Sequence, residues 1–166
     1  MKRDLHPSAY RPGGHLDVKD DTVHDPYFQR HKPAEPAGCG DCGAVFHDGR
    51  WQWLVMPAGA HLMRCPACSR IHDDMPAAWV TMDGEFAHTH ADELLELARH
   101  LEAREKAAHP LQRIMAIERD GARAVLTTTG LNLARAIGDA FQRAYKGELE
   151  VHYSPDEYRL RVNWRR

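Results

Sequence analysis

Long apolar runs are missing from this chain. None of its 166 residues belong to a stretch near the ~18 apolar residues a membrane-spanning helix needs. The opening segment, Met1-Lys2-Arg3-Asp4-Leu5-His6-Pro7, offers no apolar core for a signal peptide, so the expectation is a cytoplasmic protein with no membrane partner. Net charge is also small, at -2, which removes any global electrostatic case for nucleic-acid binding. Catalytic signatures are lacking as well: no Gly-x-Ser-x-Gly elbow, no Gly-x-x-x-x-Gly-Lys-Ser/Thr loop and no His-Glu-x-x-His helix occurs, and no enzyme is expected. There is no long internal repeat and no low-complexity tract. Hydrophobic residues make up 43% and charged residues 28%, with a mean hydropathy of -0.60, which suits a soluble globular chain with a sizeable exposed fraction.

Cysteine is scarce, and its placement carries the most information. The four cysteines form two pairs, Cys39-Gly-Asp-Cys42 and Cys65-Pro-Ala-Cys68, with residues 43–64 between them. Each pair can form a tight knuckle with both sulfurs inward, and the intervening segment is long enough to fold back as a hairpin. Gly40, Gly43 and Pro66 suit such turns. In a reducing compartment paired Cys-x-x-Cys motifs are metal ligands far more often than disulfides. Four thiolates suit one zinc ion, and a four-sulfur sphere leaves no position for water or substrate, so the metal should be structural. Iron in a rubredoxin-like electron carrier uses the same spacing. A thioredoxin-like redox pair fits poorly, because that motif stands alone.

Other metal and catalytic candidates are weaker. If Glu85–Thr89 is a strand, His88 and His90 share a face near His72, yet no carboxylate pattern supports a second site. His47 and His61 read as exposed loop residues beside a site the cysteines already fill. Asp73-Asp74 reads as a solvated turn more readily than as a catalytic pair.

The chain divides into three parts by composition. Residues 1–38 hold five prolines, six basic and six acidic residues and few aliphatics, which predicts a disordered tail with Tyr10, Tyr27 and Phe28 as its docking anchors. Residues 39–90 are expected to form a zinc ribbon with a strand from Arg50 to Val55 and a hairpin of Ala78–Met82 and Glu85–Thr89 turning at Asp83-Gly84. Residues 91–166 read as an α+β unit. Thr89 would cap a helix carrying Leu94, Leu95, Leu97, Ala98 and Leu101 that stops before Pro110. Strands follow at Gln112–Glu118 and Ala124–Thr128 around Asp120-Gly121. Thr128 or Thr129 would cap a helix through Phe141 that ends at Gly147, and strands at Leu149–Tyr153 and Tyr158–Trp164 complete the unit. The fold class expected is α+β, with helices on one face of a two-layer antiparallel sheet, ferredoxin-like or related.

Residues 110–166 hold 10 Lys and Arg against 7 Asp and Glu, a local net charge of +3. Arg135, Arg143 and Lys146 lie on or beside the second helix, and Arg159, Arg161 and Arg165 alternate along the last strand. These six are the candidate RNA contacts, although a charged outer strand face is the blander reading.

The paired cysteines, the segment Thr127 to Phe141 and the stretch Tyr145-Lys-Gly-Glu-Leu149 resemble short bacterial proteins related to the NMD family of large-ribosomal-subunit adaptors. The resemblance covers about residues 39–166. It implies a ribosome or RNA partner and an effect on ribosome stability or messenger-RNA decay; residue by residue it extends only to the four cysteines. A protein-interaction adaptor docking through the ribbon and tail is the alternative.

Overall fold

A computed structural model describes residues 25–27, 32–154 and 156–166. The tail anchors Tyr10 and Phe28 lie outside these residues. Two sheets and four helices make an α+β protein.

The first sheet is small. Strands β1 (Ala37–Cys39), β2 (Val45–His47), β3 (Arg50–Gln52) and β4 (His61–Met63) run in the order β3-β2-β1-β4, and helix α1 (Pro66–Asp73) follows. β1 begins inside the segment expected to be a tail. The β2–β3 turn is Asp48-Gly49, both with positive φ, which matches the right-handed twist of the flanking strands. Cys39, Ala44, Cys65, Ala67 and Cys68 form one buried cluster here, and Ala37, Val45 and Phe46 are also buried in this sheet, a small core for a separate unit. Strand β4 joins parallel to β1, so the cysteine after β4 returns to the side of Cys39.

The second sheet contains the main core. Strand β5 (Ala78–Asp83) leads into helices α2 (Glu85–Thr89) and α3 (Ala91–Ala108), then β6 (Ile114–Asp120), β7 (Arg123–Thr128), helix α4 (Leu131–Tyr145), β8 (Glu148–Ser154) and β9 (Arg159–Arg165). The strand order is β6-β7-β5-β9-β8. Pairing is antiparallel except between β5 and β9, which run parallel, so the expectation of a wholly antiparallel sheet is corrected. Strand β8 takes the outer edge after α4, and β9 turns back between it and β5. Strand β5, expected with the ribbon, is the middle strand of this sheet, and a division at residue 90 separates it from its partners.

Alternation sets the layers. Val80, Met82, Leu126, Leu160, Val162 and Trp164 face the helices and are buried, while Trp79, Thr127, Arg161 and Asn163 face the other way. Helix α4 buries Leu131, Leu133, Ala134, Ile137 and Phe141 at helical spacing, and α3 adds Leu94, Leu95, Ala98 and Leu101. No described helix covers the opposite face.

Three local expectations are corrected. Glu85–Thr89 is a helix, because β7 and β9 already occupy both edges of β5 and leave no place for a hairpin partner. Gly84, at φ 100°, turns the chain so that the N–H groups of Phe86 and Ala87 bond to the Arg166 carbonyl at 3.0 and 3.4 Å. Thr89 does not cap α3: its hydroxyl donates back to the carbonyls of Glu85 and Phe86, and His90 stands at the cap without a side-chain bond. At α4 the cap is Gly130. The side chains of Thr128 and Thr129 donate to the carbonyls of Gly130 and Leu111, and the Leu133 N–H is instead taken by Gln112 Oε1 at 3.1 Å. Gly147 has the positive φ expected after a helix.

Candidate metal centre

Cys39 closes β1 and opens a tight turn in which its N–H bonds to the Ala44 carbonyl at 2.7 Å and Gly43, at φ 80°, donates to the Cys39 carbonyl at 2.9 Å. The second pair is built differently from the knuckle expected. Cys65 is the N-cap of α1, Pro66 opens the helix, and Cys68 sits in its first turn with its N–H on Cys65 Sγ at 3.4 Å. The free N–H groups of a helix start favour thiolate charge. The Cys65 N–H donates in turn to Cys39 Sγ at 3.3 Å.

All four sulfurs lie within 4.8 Å of one another, and Cys42 and Cys65 are 3.8 Å apart. Disulfide sulfurs would sit about 2.05 Å apart, and all four cysteines are free. An edge of about 3.8 Å is that of a tetrahedron with metal–sulfur bonds of about 2.3 Å. The donor set and its geometry thus form a possible metal-binding site, made by the residues the sequence nominated.

Electrostatics within the cluster are uneven. Burial would raise the Cys39 thiol, but N–H groups from Cys65, Cys42 and Asp41 outweigh it and bring Cys39 down to about 7. Burial, joined by the charge of the three neighbouring sulfurs, pushes Cys65 up. Burial also raises Cys68, against the opposing guanidinium of Arg113. In Arg113 burial disfavours the charge, yet the sulfurs of Cys42 and Cys68 hold the proton more firmly than usual. Without a cation these thiols resist ionising together, and a divalent ion bound among them would supply the missing charge.

Two buried arginines, one of them against the cysteines, carry no sequence signal. Arg113, 7% exposed, donates from Nη1 to Cys68 Sγ at 3.3 Å. Arg70, on α1, pairs with Asp25 at 2.5 Å and stacks over Tyr27 at 4.4 Å. Tyr27, expected as a tail anchor, also donates to Asp73 at 2.9 Å.

The weaker candidates find other roles. His88 lies in α2 and His90 caps its end, so the two do not share a strand face. His90 stacks on Phe86 with ring centres 3.9 Å apart, and His72 bonds to Asp73. Asp74 ends α1 with a left-handed backbone, which makes Asp73-Asp74 a helix terminus. Glu35, His47 and Asp48 form a second, exposed group whose Glu35 oxygens accept the N–H groups of Asp48 and Gly49 in the β2–β3 turn.

The six basic candidates are not brought together. Arg135, Arg143 and Lys146 belong to the helix layer, and Arg135 pairs with Asp139 at 3.3 Å. Arg159, Arg161 and Arg165 belong to the sheet face that no described helix covers. There Arg165 stands between Asp83 and Glu148 in the register, whereas Arg161 stands between Trp79 and His152. The guanidiniums of Arg161 and Arg159 lie over the Trp79 ring at 5.2 and 6.0 Å. Trp79 was expected only as a strand residue.

No family model matches the chain, and searches of the curated proteins and of the solved structures return no match. No described helix is long and apolar enough to cross a membrane.

Proposed function

We propose that this chain is a non-enzymatic cytoplasmic protein in which one structural zinc ion holds the cysteine unit in shape and the uncovered sheet face binds RNA, as the resemblance to NMD-related ribosomal adaptors implies. The observation that carries the RNA reading is Trp79 with Arg161 and Arg159 stacked on it, on a sheet face that no described helix covers. A guanidinium lying on an aromatic ring offers a base a plane to stack on and a phosphate the charge of Arg161, while Arg159 is paired with Glu157 at 2.9 Å. Thr127, the neighbour of Trp79 on β7, is a small side chain that leaves that side open to a flat ligand. Glu150 and Glu148 on β8 repel phosphate, so the contact is a short one centred on Trp79. Zinc is favoured over iron because most of the chain folds as a five-stranded unit with its own core, which a small electron carrier does not need.

Equilibrium binding to purified ribosomal RNA over a range of salt tests the reading. Trp79→Ala should weaken binding by about 1–3 kcal/mol, and Arg161→Ala should lower the salt slope by about one unit. Failure of the unaltered protein to bind at low salt, with the protein remaining at the top of a sucrose gradient of cell lysate, rejects it.

Exposed apolar residues favour a protein partner as the second reading. Val55 is 92% and Leu62 66% exposed, the first in the loop after β3 and the second on edge strand β4. Loss of RNA binding together with co-sedimentation that depends on these two residues would select the adaptor.

A further inference from the structure

Arg113 belongs to the five-stranded unit, yet its side chain ends among the cysteines of the other. Its backbone is pinned from both sides: its N–H donates to Thr129 Oγ1 at 2.9 Å, and its carbonyl accepts the Thr129 N–H at 2.9 Å. The guanidinium is aimed by a bond from Nε to the Pro110 carbonyl at 2.8 Å, which leaves Nη1 on Cys68 Sγ. Nη2 is buried with no hydrogen-bond partner among the described residues. Nor does Arg113 form an ion pair with a described carboxylate. A permanently charged guanidinium buried in this way needs a counter-charge, and the sulfurs are the groups facing it. A divalent ion bound by four thiolates carries a net charge of -2, which one guanidinium halves.

We propose that Arg113 is the positioning residue of the metal centre: it holds Cys68 from the second unit, offsets the negative charge of the metal–thiolate group, and makes that centre the joint between the two units. The proposal rests on the zinc reading above. Partners that orient metal ligands and adjust their charge affect metal affinity by about 10–100-fold. Here the partner comes from the other side of a joint, so loss of the metal would leave a buried cation with nothing to face and loosen the contact made by Arg113 and by Leu111, which packs against the cysteine cluster.

The test uses the full chain, with cobalt exchanged for zinc, and compares the unaltered protein with Arg113→Met, Arg113→Lys and the core control Ile137→Val. In Arg113→Met the thiolate-to-cobalt charge-transfer band should move to lower energy, because the sulfurs lose a cation that stabilised their electrons. Zinc release to excess chelator should become at least about ten-fold faster. Arg113→Lys keeps the charge without the fork and should recover part of both effects; if Arg113→Met does not fold, this variant carries the comparison. Ile137→Val loses core packing only and should leave the band in place. Bands and release rates equal to those of the unaltered protein in both Arg113 variants overturn the role of Arg113 while leaving the zinc reading intact. An unaltered protein that binds neither metal overturns both.

Discussion

Gly138 lies where α4 crosses the sheet, and a Cβ there would stand 2.5 Å from Val162 Cγ1 and 3.1 Å from Leu149 Cδ1. The helix can lie this close to β8 and β9 only because that position has no side chain. Gly138→Ala should therefore destabilise the protein by about 1–3 kcal/mol in urea denaturation despite the gain in helix propensity. A neutral or stabilising result would mean that α4 can lift away freely. The pair of Arg70 and Asp25 makes a comparable case, since the arginine is 4% exposed and its carboxylate comes from a segment remote in sequence. Asp25→Asn should cost about 1–3 kcal/mol by leaving Arg70 less well compensated, and a double-mutant cycle with Arg70→Met would isolate the coupling. Neither position announces itself in the chain. Gly138 reads as an ordinary weak point in a helix, and Arg70 and Arg113 read as two more surface cations, because burial of a long side chain depends on what folds over it.

Helix α1 owes its start to chemistry and its place to the strand before it. Its first turn holds Cys65 and Cys68, whose thiols burial pushes up, while N–H bonds bring Cys39 down to about 7. Metal must displace protons from the raised pair, so apparent affinity should rise with pH by more than ten-fold per unit between about pH 6 and 8, as read by chelator competition. A flat profile would exclude ligation by the thiolates. Helix α2 teaches a different lesson. The Asp83-Gly84 pair has the local chemistry of a hairpin turn, but β5 is hydrogen-bonded on both sides by distant strands, and the chain leaves the sheet as a helix whose first N–H groups meet the Arg166 carbonyl. A Cβ on Gly84 would approach that carbonyl to 2.4 Å at a φ of 100°. Gly84→Ala should lower the melting temperature accordingly, with the loss concentrated at α2 and the end of β9 in amide exchange. By contrast α3, α4 and the hairpin of β6 and β7 were legible in advance, since apolar spacing and the Asp120-Gly121 turn act within a few residues of themselves.

The two units are unequally endowed. The five-stranded sheet packs a continuous apolar core beneath α3 and α4, whereas the cysteine unit buries, among the described residues and beside its sulfurs, only Ala37, Ala44, Val45, Phe46 and Ala67 as apolar side chains. Removal of metal by a chelator should thus abolish amide protection in residues 37–73 while β5, β7 and β9 keep theirs, because structural zinc contributes about 10–16 kcal/mol in small metal-dependent units. Uniform retention of protection would show that the cysteine unit folds without it. The number and spacing of the cysteines singled out the cluster of four from the chain alone, and hydrophobic periodicity determined most helices and strands, because both are properties of neighbouring residues. Tertiary structure decided the rest: that β9 enters beside β5 in parallel, that the basic residues fall on two separate layers, that Trp79 stacks with Arg161, and that Arg113 reaches Cys68. Each of these joins positions far apart in sequence, where pairing is settled by which surfaces can be buried together and which charges must then be offset.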